Sequence, residues 1–298
     1  MSVKVYLLET RPQFLLLSPI LVMLGMGMAL YNGNFNTLNF ALSMIGLLLL
    51  HISVNTLNDY SDFKTGIDLN VKRTPFSGGS GLLPSGALSA SSVLKLGLAS
   101  FFLAVPIGIY FLVTRGFYLL PIFIIGAIFV LWYTSHITHI VGMPELAAGL
   151  GLGTLPVFGT FMILNGSFAW EALFASVPSG LLVCNLLLLN EFPDIEADKT
   201  GRRKTLPIIL GAKKAAVIYS MLIILVYLWV IGGVLLKLMP IWSLLALLTL
   251  PLGIKAIKGA MTFKKIEELI PAQGANVMTV LLTQLLLAVG YVLARVIS

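Results

Sequence analysis

The stretch LNFALSMIGLLLLHISVNTLNDYSD, residues 38–62, passes from a long apolar run directly into a cluster of amide and acid side chains. About 20 apolar residues are enough to cross a bilayer as a helix. The polar residues recur at spacings of three and four, which places them on one helix face: His51, Asn55, Asn58, Asp59 and Asp62. The stretch therefore predicts a membrane helix whose end carries an acidic face.

A second cluster, NEFPDIEAD at residues 190–198, also follows an apolar run. Three of its polar residues are spaced by four and share a helix face: Asn190, Asp194 and Asp198. Pro193 predicts a kink or a restart of the helix. Glu191 and Glu196 fall on other faces, so we expect them to be solvated or paired with neighbouring Arg and Lys residues.

The composition decides the class of protein. Of the 298 residues, 58% are hydrophobic and 10% are charged, whereas a soluble domain carries about 25% charged residues. We therefore predict an all-α, polytopic membrane helical bundle, with residues 1–298 forming a single domain. The lone Cys184 leaves no disulfide framework, and the net charge of +7 reports membrane topology rather than nucleic-acid binding.

The apolar runs predict about nine transmembrane helices. They are expected at residues 13–31, 38–57, 92–114, 117–134, 146–164, 169–190, 214–235, 239–256 and 275–297. With a cytoplasmic N-terminus, 16 of the 19 Lys and Arg residues face the cytoplasm, as the positive-inside rule requires. The exceptions are Arg115, Lys237 and Arg295. Both acid clusters then lie on the cytoplasmic side of the plasma membrane.

Carboxylates at the end of a membrane helix are costly unless a cation binds them, although a polar helix end that reaches for water is the alternative. Mg²⁺ takes oxygen ligands and commonly bridges carboxylates to phosphates. The sequence has no His/Cys ligand cluster, which argues against zinc. His51 has two open interpretations, a ligand and a hydrogen-bonded packing residue. We expect a hard divalent metal that holds an anionic ligand.

Basic residues follow each cluster and have two interpretations, neutralisation of a diphosphate and membrane topology. The first is favoured for three of them: Lys72, Arg73 and Lys204. For Arg202 and Arg203 both stay open. Between the clusters, SGGSGLLPSG at residues 77–86 lacks the arrangement of a P-loop. This loop is expected either to offer backbone N–H groups to an anion or to be a flexible cover over the site.

The stretches NDYSDFKTGID, VKRT and NEFPDIEADKTGRRKTL resemble the signature motifs of the UbiA superfamily of intramembrane prenyltransferases, and the resemblance extends over essentially the whole chain. Tyr133, Glu145 and the loop SGGSGLLPSG are similar to the branch that prenylates 1,4-dihydroxy-2-naphthoate for menaquinone. Many members carry a third acid at the position of Gly66. Here the acid is Asp68, a longer spacing that is frequent in the naphthoate branch.

The resemblance implies Mg²⁺-dependent transfer of a polyprenyl group from an allylic diphosphate to an aromatic quinone precursor. Two Mg²⁺ ions are implied, bridging the diphosphate and held by Asp59, Asp62, Asp68, Asp194 and Asp198. Tyr133 is implied near the allylic carbocation, with an interfacial tyrosine as the alternative. Substrate contacts are expected from Asn55, Asn58, Asn190 and Glu145, besides Lys72, Arg73 and Lys204.

Other functions remain open at this point. The acceptor has an alternative, a lipid glycerol phosphate. A phosphotransferase of the CDP-alcohol type would carry a DG-x-x-AR motif, which the chain lacks. A cation-coupled transporter would place its acids near the bilayer midplane, whereas these acids lie at helix ends. The expected partners are the prenyl diphosphate donor, the acceptor and membrane lipids, with no nucleic acid.

Overall fold

The computed structural model describes residues 3–297, and every regular element in that range is a helix. The principal helices are α1 (Pro12–Tyr31), α2 (Thr37–Thr65), α3 (Ala90–Arg115), α4 (Phe117–Trp132), α5 (Met143–Asn165), α6 (Trp170–Asn190), α7 (Ala212–Leu235), α8 (Ile241–Thr262) and α9 (Ile266–Ile297). Shorter helices are Val3–Glu9, Ile67–Asn70, Ile137–His139, Ile195–Thr200 and Leu206–Leu210.

The predicted class, an all-helical bundle of membrane spans, is confirmed. Within the described residues, eight helices are long and apolar enough to cross a membrane. The remaining one, α4, is shorter, and at about 1.5 Å per residue it falls short of a hydrocarbon core of about 30 Å. Three helices extend well beyond the predicted apolar runs, since α2 continues to Thr65, α8 continues to Thr262 and α9 begins at Ile266. The extra turns of α2 carry the first acid motif.

Capping residues define both ends of α2. Asn36 accepts a hydrogen bond from the backbone N–H of Asn39 at 2.9 Å, the usual N-cap arrangement. At the other end Gly66 adopts a left-handed backbone with φ 79°, a conformation that glycine adopts readily at a helix end. The chain then turns into the short helix Ile67–Asn70, whose first turn carries Asp68. Because helix α2 ends at Gly66, the third acid of the motif is Asp68, which lies two residues after Gly66 in the next short helix.

Helices α5 and α6 lie unusually close together. A Cβ added to Gly153 would lie 2.6 Å from the carbonyl oxygen of Ser179, so only glycine permits this approach. Beside it, α5 contains a π-helical turn at Leu150–Thr154, where Leu152 leaves helical backbone angles (φ −121°, ψ 22°). Single π turns inside α-helices are frequent at functional sites. This turn lies beside the cavity described below.

Buried amides tie α6 to α7 and α9. Asn185 donates to the carbonyl of Tyr219 at 3.0 Å, the Tyr219 hydroxyl donates to Asn276 at 3.0 Å, and Asn276 donates to the carbonyl of Asn185 at 3.2 Å. Gln273 donates to the Asn190 side chain at 3.3 Å. Interhelical hydrogen bonds of this kind stabilise membrane bundles. They hold the end of α6, where the second acid motif begins.

The two ends of the bundle differ in charge. The acid motifs share one end, where Ile67–Asn70 packs against Ile195–Thr200. At the other end Asn34 donates to Asn165 at 3.0 Å, Arg295 lies beside Gly33, and Arg115 ends α3. Two of the basic residues predicted on the outer side therefore lie opposite the acid motifs.

Thiol labelling tests the predicted orientation. In a Cys184→Ala background, cysteines at Ser85 and Lys213 should react with an impermeant thiol reagent only from the cytoplasmic side. Cysteines at Asn34 and Ser167 should react only from the outer side. All four positions are exposed, so a failure to react reports sidedness rather than burial. Labelling of Asn34→Cys and Ser85→Cys from the same side would contradict the topology.

Candidate active site

The two acid motifs meet at a cavity of about 270 Å³ at one end of the bundle. The first motif reaches it from the last turns of α2 and from Ile67–Asn70, and the second from the loop after α6 and from Ile195–Thr200. The polar residues of its wall include Arg11, Asn55, Asn58, Asp62, Asp68, Tyr133, Asn190, Glu191, Asp194, Asp198 and Arg203. Acids that are far apart in the sequence thus share one site.

Arg203 joins the two motifs directly. Its Nη1 lies 2.9 Å from Oδ1 of Asp198 and its Nη2 donates to Oδ1 of Asp62, so one guanidinium forms ion pairs with both halves of the site. Burial opposes the charge of Arg203, but these two carboxylates outweigh it and raise its pKa. Its neighbour Arg202 is exposed. Of the two positions the sequence left open, Arg203 is the one that reaches the acids.

The glycine-rich loop covers the first motif. The backbone N–H of Ser80 donates to Oδ2 of Asp59 at 2.7 Å, and its hydroxyl donates to Glu9 at 2.8 Å. Gly79 has φ +69°, and a Cβ there would lie 3.1 Å from Oδ1 of Asp68 and 3.4 Å from Oδ1 of Asp59. The loop therefore donates a backbone hydrogen bond to Asp59. Because Gly79 has no side chain, space is left between the carboxylates of Asp59 and Asp68.

Several carboxyls outside the membrane helices have raised pKa values, among them Asp68 and Asp194. Burial raises the pKa of Asp68 to about 8, with Asp59 and Asp62 adding to the rise. Burial raises the pKa of Asp194 to about 7, with Asp198 contributing. Crowded, buried acids of this kind resist ionisation, and a nearby cation reverses the effect. The electrostatics at this end are those of a site that favours bound cations.

The donor set fits Mg²⁺ that also binds a phosphate. Oδ1 of Asp59 and Oδ1 of Asp194 are buried without a hydrogen-bond partner among the described residues. Within those residues, no group of three or more His, Cys, Asp or Glu side chains converges on one point as a complete metal centre. Mg²⁺ is usually held by one or two carboxylates, with waters and substrate phosphates completing its shell. Carboxylates facing each other across a cavity suit that arrangement.

The predicted basic residues lie outside the cavity wall. Lys72 is exposed and lies 3.5 Å from Glu267, while Arg73 donates to the backbone carbonyl of Asp68 at 3.2 Å. Lys204 is also exposed, and its backbone N–H donates to the carbonyl of Thr138 at 2.8 Å. Their roles in diphosphate binding stay predictions.

Arg11 is a site residue that the sequence analysis did not single out. It has a left-handed backbone (φ 56°) before α1, lines the cavity, and lies 3.9 Å from Oδ1 of Asp59. The signal in the sequence was a basic residue next to Pro12, where the first apolar run begins. Its guanidinium places a second positive charge at the first motif.

The predicted amides line the cavity and are anchored by neighbours. Asn55 donates to the carbonyl of Thr10 at 3.2 Å, and Asn58 donates to Thr134 at 3.1 Å. Asn190 is held by Gln273, as described above. His51 is buried, and its Nδ1 lies 2.8 Å from the Ser18 hydroxyl, which is the arrangement of a hydrogen-bonded packing residue.

Glu191 was predicted to be solvated or ion-paired, and this was wrong. It is 5% exposed and lines the cavity together with Tyr133. Glu145, predicted to bind substrate, is 1% exposed and lies behind it, where its Oε1 accepts a hydrogen bond from the backbone N–H of Leu206 at 2.5 Å. Glu196 behaves as predicted and pairs with Lys199 at 2.6 Å.

A second, apolar cavity of about 340 Å³ adjoins the first, among α2, α3, α4 and α5. Four residues belong to the walls of both cavities: Leu47, Leu50, Gly126 and Gly151. Gly126 has no other atom within 4 Å of where its Cβ would be. The acidic cavity therefore borders an apolar cavity inside the bundle, and these four residues lie where the two cavities meet.

Comparisons with known proteins agree with this geometry. A solved UbiA homolog from Aeropyrum pernix K1 superposes with a TM-score of 0.69 at 19% identity, covering 93% of this chain and 96% of that one. A UbiA homolog from Archaeoglobus fulgidus, solved bound to GPP and Mg²⁺, gives a TM-score of 0.64 at 14% identity, covering 97% and 99%. The chain therefore has the fold of these UbiA homologs.

The sequence matches are more specific. The model of the UbiA prenyltransferase family matches residues 16–265. The 1,4-dihydroxy-2-naphthoate octaprenyltransferase of Bacillus subtilis (strain 168) is 29% identical over 287 residues, covering 96% of this chain and 91% of the relative. The family match and the membrane helices define the class of protein, an integral membrane enzyme that transfers prenyl groups. The chain belongs to the UbiA prenyltransferase family, which sets aside the transporter and phosphotransferase alternatives.

Replacing Arg203 tests the link between the acid motifs. Arg203→Gln keeps much of the side-chain length but removes the charge that pairs Asp62 with Asp198. Breaking a buried ion pair costs about 3–5 kcal/mol, so the melting temperature in metal-free detergent should fall clearly, and millimolar Mg²⁺ should restore part of it. Arg202→Gln, one residue away and exposed, should melt like the parent. Equal melting of both variants, with and without Mg²⁺, would show that Arg203 does not link the motifs.

Proposed function

We propose that this enzyme transfers a polyprenyl group from an allylic diphosphate to an aromatic quinone precursor such as 1,4-dihydroxy-2-naphthoate, releasing diphosphate, with Mg²⁺ as cofactor. One observation carries the proposal: two acid motifs face each other at the mouth of a cavity whose far end is apolar. A polyprenyl diphosphate has the matching shape, with a multiply charged anionic head and a long hydrocarbon tail. The similarity to a naphthoate octaprenyltransferase supports the acceptor.

The aspartates of both motifs would hold Mg²⁺ against the diphosphate. The residues in this role are Asp59, Asp62, Asp68, Asp194 and Asp198. When bound, Mg²⁺ neutralises the charge that develops on the leaving diphosphate. We place two ions there because the unpartnered carboxylate oxygens, on Asp59 and Asp194, belong to opposite motifs.

Arginine side chains and the lining of the cavity would supply the rest of the chemistry. Arg203 and Arg11 place guanidinium groups beside the acids, in position to bind diphosphate oxygens as the allylic C–O bond breaks. Tyr133 lines the cavity and offers its ring to the allylic cation. Apolar residues fill the rest of the wall, among them Phe129, Val130 and Leu187, and they keep water from the cation.

The proposed active site faces the cytoplasm from the plasma membrane. Support comes from the basic residues, of which 16 of 19 fall on one side in the predicted topology, and from the position of both acid motifs at one end of the bundle. A donor made in the cytoplasm would insert its tail among the helices and leave its diphosphate at the membrane surface. Membrane lipids are the remaining partners.

Removing one carboxylate from either motif should stop turnover. For Asp62→Asn and Asp194→Asn we expect kcat/KM to fall at least about a hundredfold, because each removes a metal-binding oxygen from one side of the diphosphate. Asp68 and Asp59 both approach Gly79 from the same side of the site, so Asp68→Asn should also be impaired. The assay is diphosphate release with saturating Mg²⁺, with exposed Glu196→Gln as the matched acidic control. Parental rates in Asp62→Asn or Asp194→Asn would overturn the two-metal proposal.

A side chain at the junction of the cavities should shorten the accepted donor. Gly126→Phe fills open space where the tail would pass from one cavity to the other. We expect kcat/KM for geranylgeranyl diphosphate to fall about tenfold to a hundredfold relative to geranyl diphosphate. Gly232→Phe is the control, since Gly232 also has open space around it but lines neither cavity. An unchanged ratio in Gly126→Phe would place the tail elsewhere.

The acceptor is tested by competition. Purified enzyme with geranylgeranyl diphosphate and Mg²⁺ should prenylate 1,4-dihydroxy-2-naphthoate in preference to a lipid glycerol phosphate, with products read by mass spectrometry. Prenylation of the glycerol phosphate alone would replace the acceptor and leave the donor chemistry standing. No product from either would remove the proposal.

A further inference from the structure

A second acidic group lies in the wall of the cavity, apart from the five aspartates. Glu191 lines the cavity, and Glu145 lies behind it in the first turn of α5. Both side chains are almost wholly buried, at 5% and 1% exposure. Glu145 is fixed from the rear, since its Oε1 accepts the backbone N–H of Leu206 at 2.5 Å. The diphosphate chemistry described above uses neither glutamate.

The two glutamates lack donors for their remaining oxygens. Burial raises the pKa of Glu191 well above its usual range, and the neighbouring Glu145 carboxyl adds to the rise. Among the described residues, no N–H or O–H group donates to Oε2 of Glu145 or to Oε2 of Glu191. Buried polar atoms are normally satisfied. The carboxyl group of Glu191, which lines the cavity, therefore has unused capacity for a hydrogen bond from a bound molecule.

The charge of this pair selects the kind of group that it can bind. A diphosphate or a carboxylate placed beside Glu191 would be repelled by the pair. Mg²⁺ would find only one of these glutamates in the cavity wall. A hydroxyl group is the neutral donor that suits an acceptor oxygen in a wall built mainly of apolar side chains.

We propose that Glu191 accepts a hydrogen bond from a hydroxyl group of the prenyl acceptor. The inference rests on the proposed function and adds the contact that selects the acceptor. The hydroxyl group has two possible sources, the ring hydroxyl of a dihydroxyaromatic compound and the alcohol of a glycerol lipid. An acceptor carboxylate would have to point away from Glu191.

Steady-state kinetics with three variants test the contact. Glu191→Met keeps the volume but removes the acceptor oxygens, so the KM for 1,4-dihydroxy-2-naphthoate should rise about tenfold to a hundredfold while the KM for geranylgeranyl diphosphate stays within about twofold. Glu191→Gln keeps a carbonyl oxygen and should recover most of the affinity. Glu196→Met, an exposed acid outside the cavity, should behave like the parent. Equal rises in both KM values for Glu191→Met would overturn the proposal.

A change to the acceptor gives a second test of the contact. The parent enzyme should bind 1,4-dihydroxy-2-naphthoate about tenfold or more tightly than its dimethyl ether, which has no hydroxyl donor. Glu191→Met should lose that preference, as a double-mutant cycle requires. The same cycle is run with a glycerol phosphate lipid and its O-methyl derivative. If the preference appears with this pair and is lost in Glu191→Met, the hydroxyl group that binds Glu191 is the lipid alcohol. Equal preference in parent and variant, for both pairs of compounds, would overturn the contact.

The donor side separates this inference from the proposed function. Mg²⁺-dependent binding of geranylgeranyl diphosphate, measured by calorimetry without any acceptor, should be the same in the parent and in Glu191→Met. If the parent binds and uses no prenyl diphosphate, the proposed function fails. If the parent uses the donor but Glu191→Met has a parental acceptor KM, the inference alone fails.

Discussion

Negative charge held at the end of an apolar bundle is the constraint on which the rest of this structure depends. Carboxylates that leave water lose solvation, and only a cation or a set of hydrogen-bond donors replaces it. Arg203 supplies part of that compensation by pairing Asp62 with Asp198. Burial and mutual repulsion leave Asp68 and Asp194 with raised pKa values of about 8 and about 7. Carboxyl groups with raised pKa values favour a bound cation, which would lower them again.

Local backbone features deliver the acids to that point. Helix α2 runs beyond its apolar segment and stops at Gly66, whose left-handed conformation turns Asp68 back toward Asp59. Helix α6 ends at Asn190, and a turn through Pro193 places Asp194 ahead of the short helix that carries Asp198. The loop at Ser80 then closes over the first motif. Two helix ends and two short helices therefore form a single site.

The cavity combines surfaces of different chemistry. Its mouth is acidic, suited to metal and diphosphate, whereas its interior continues past Gly126 into apolar space between α2 and α5. The carboxyl pair of Glu145 and Glu191 adds a polar group in the wall. A reaction that creates an allylic cation needs charge stabilisation at one end and dryness at the other. The position of the bundle in the membrane provides the second condition.

How much of this was predictable depends on the range of each interaction. The sequence alone determined the membrane bundle and the two acid motifs, because apolar length and the three- and four-residue spacings are local properties of the chain. Tertiary structure decided that Arg203 rather than Lys72 or Lys204 pairs with the acids, that Arg11 joins the site, and that Glu191 is buried in the cavity. Those outcomes depend on which side chains converge from residues far apart in the chain. The physical reason is that an ion pair or a buried carboxyl is fixed by distance and solvent exclusion in three dimensions, which local periodicity does not contain.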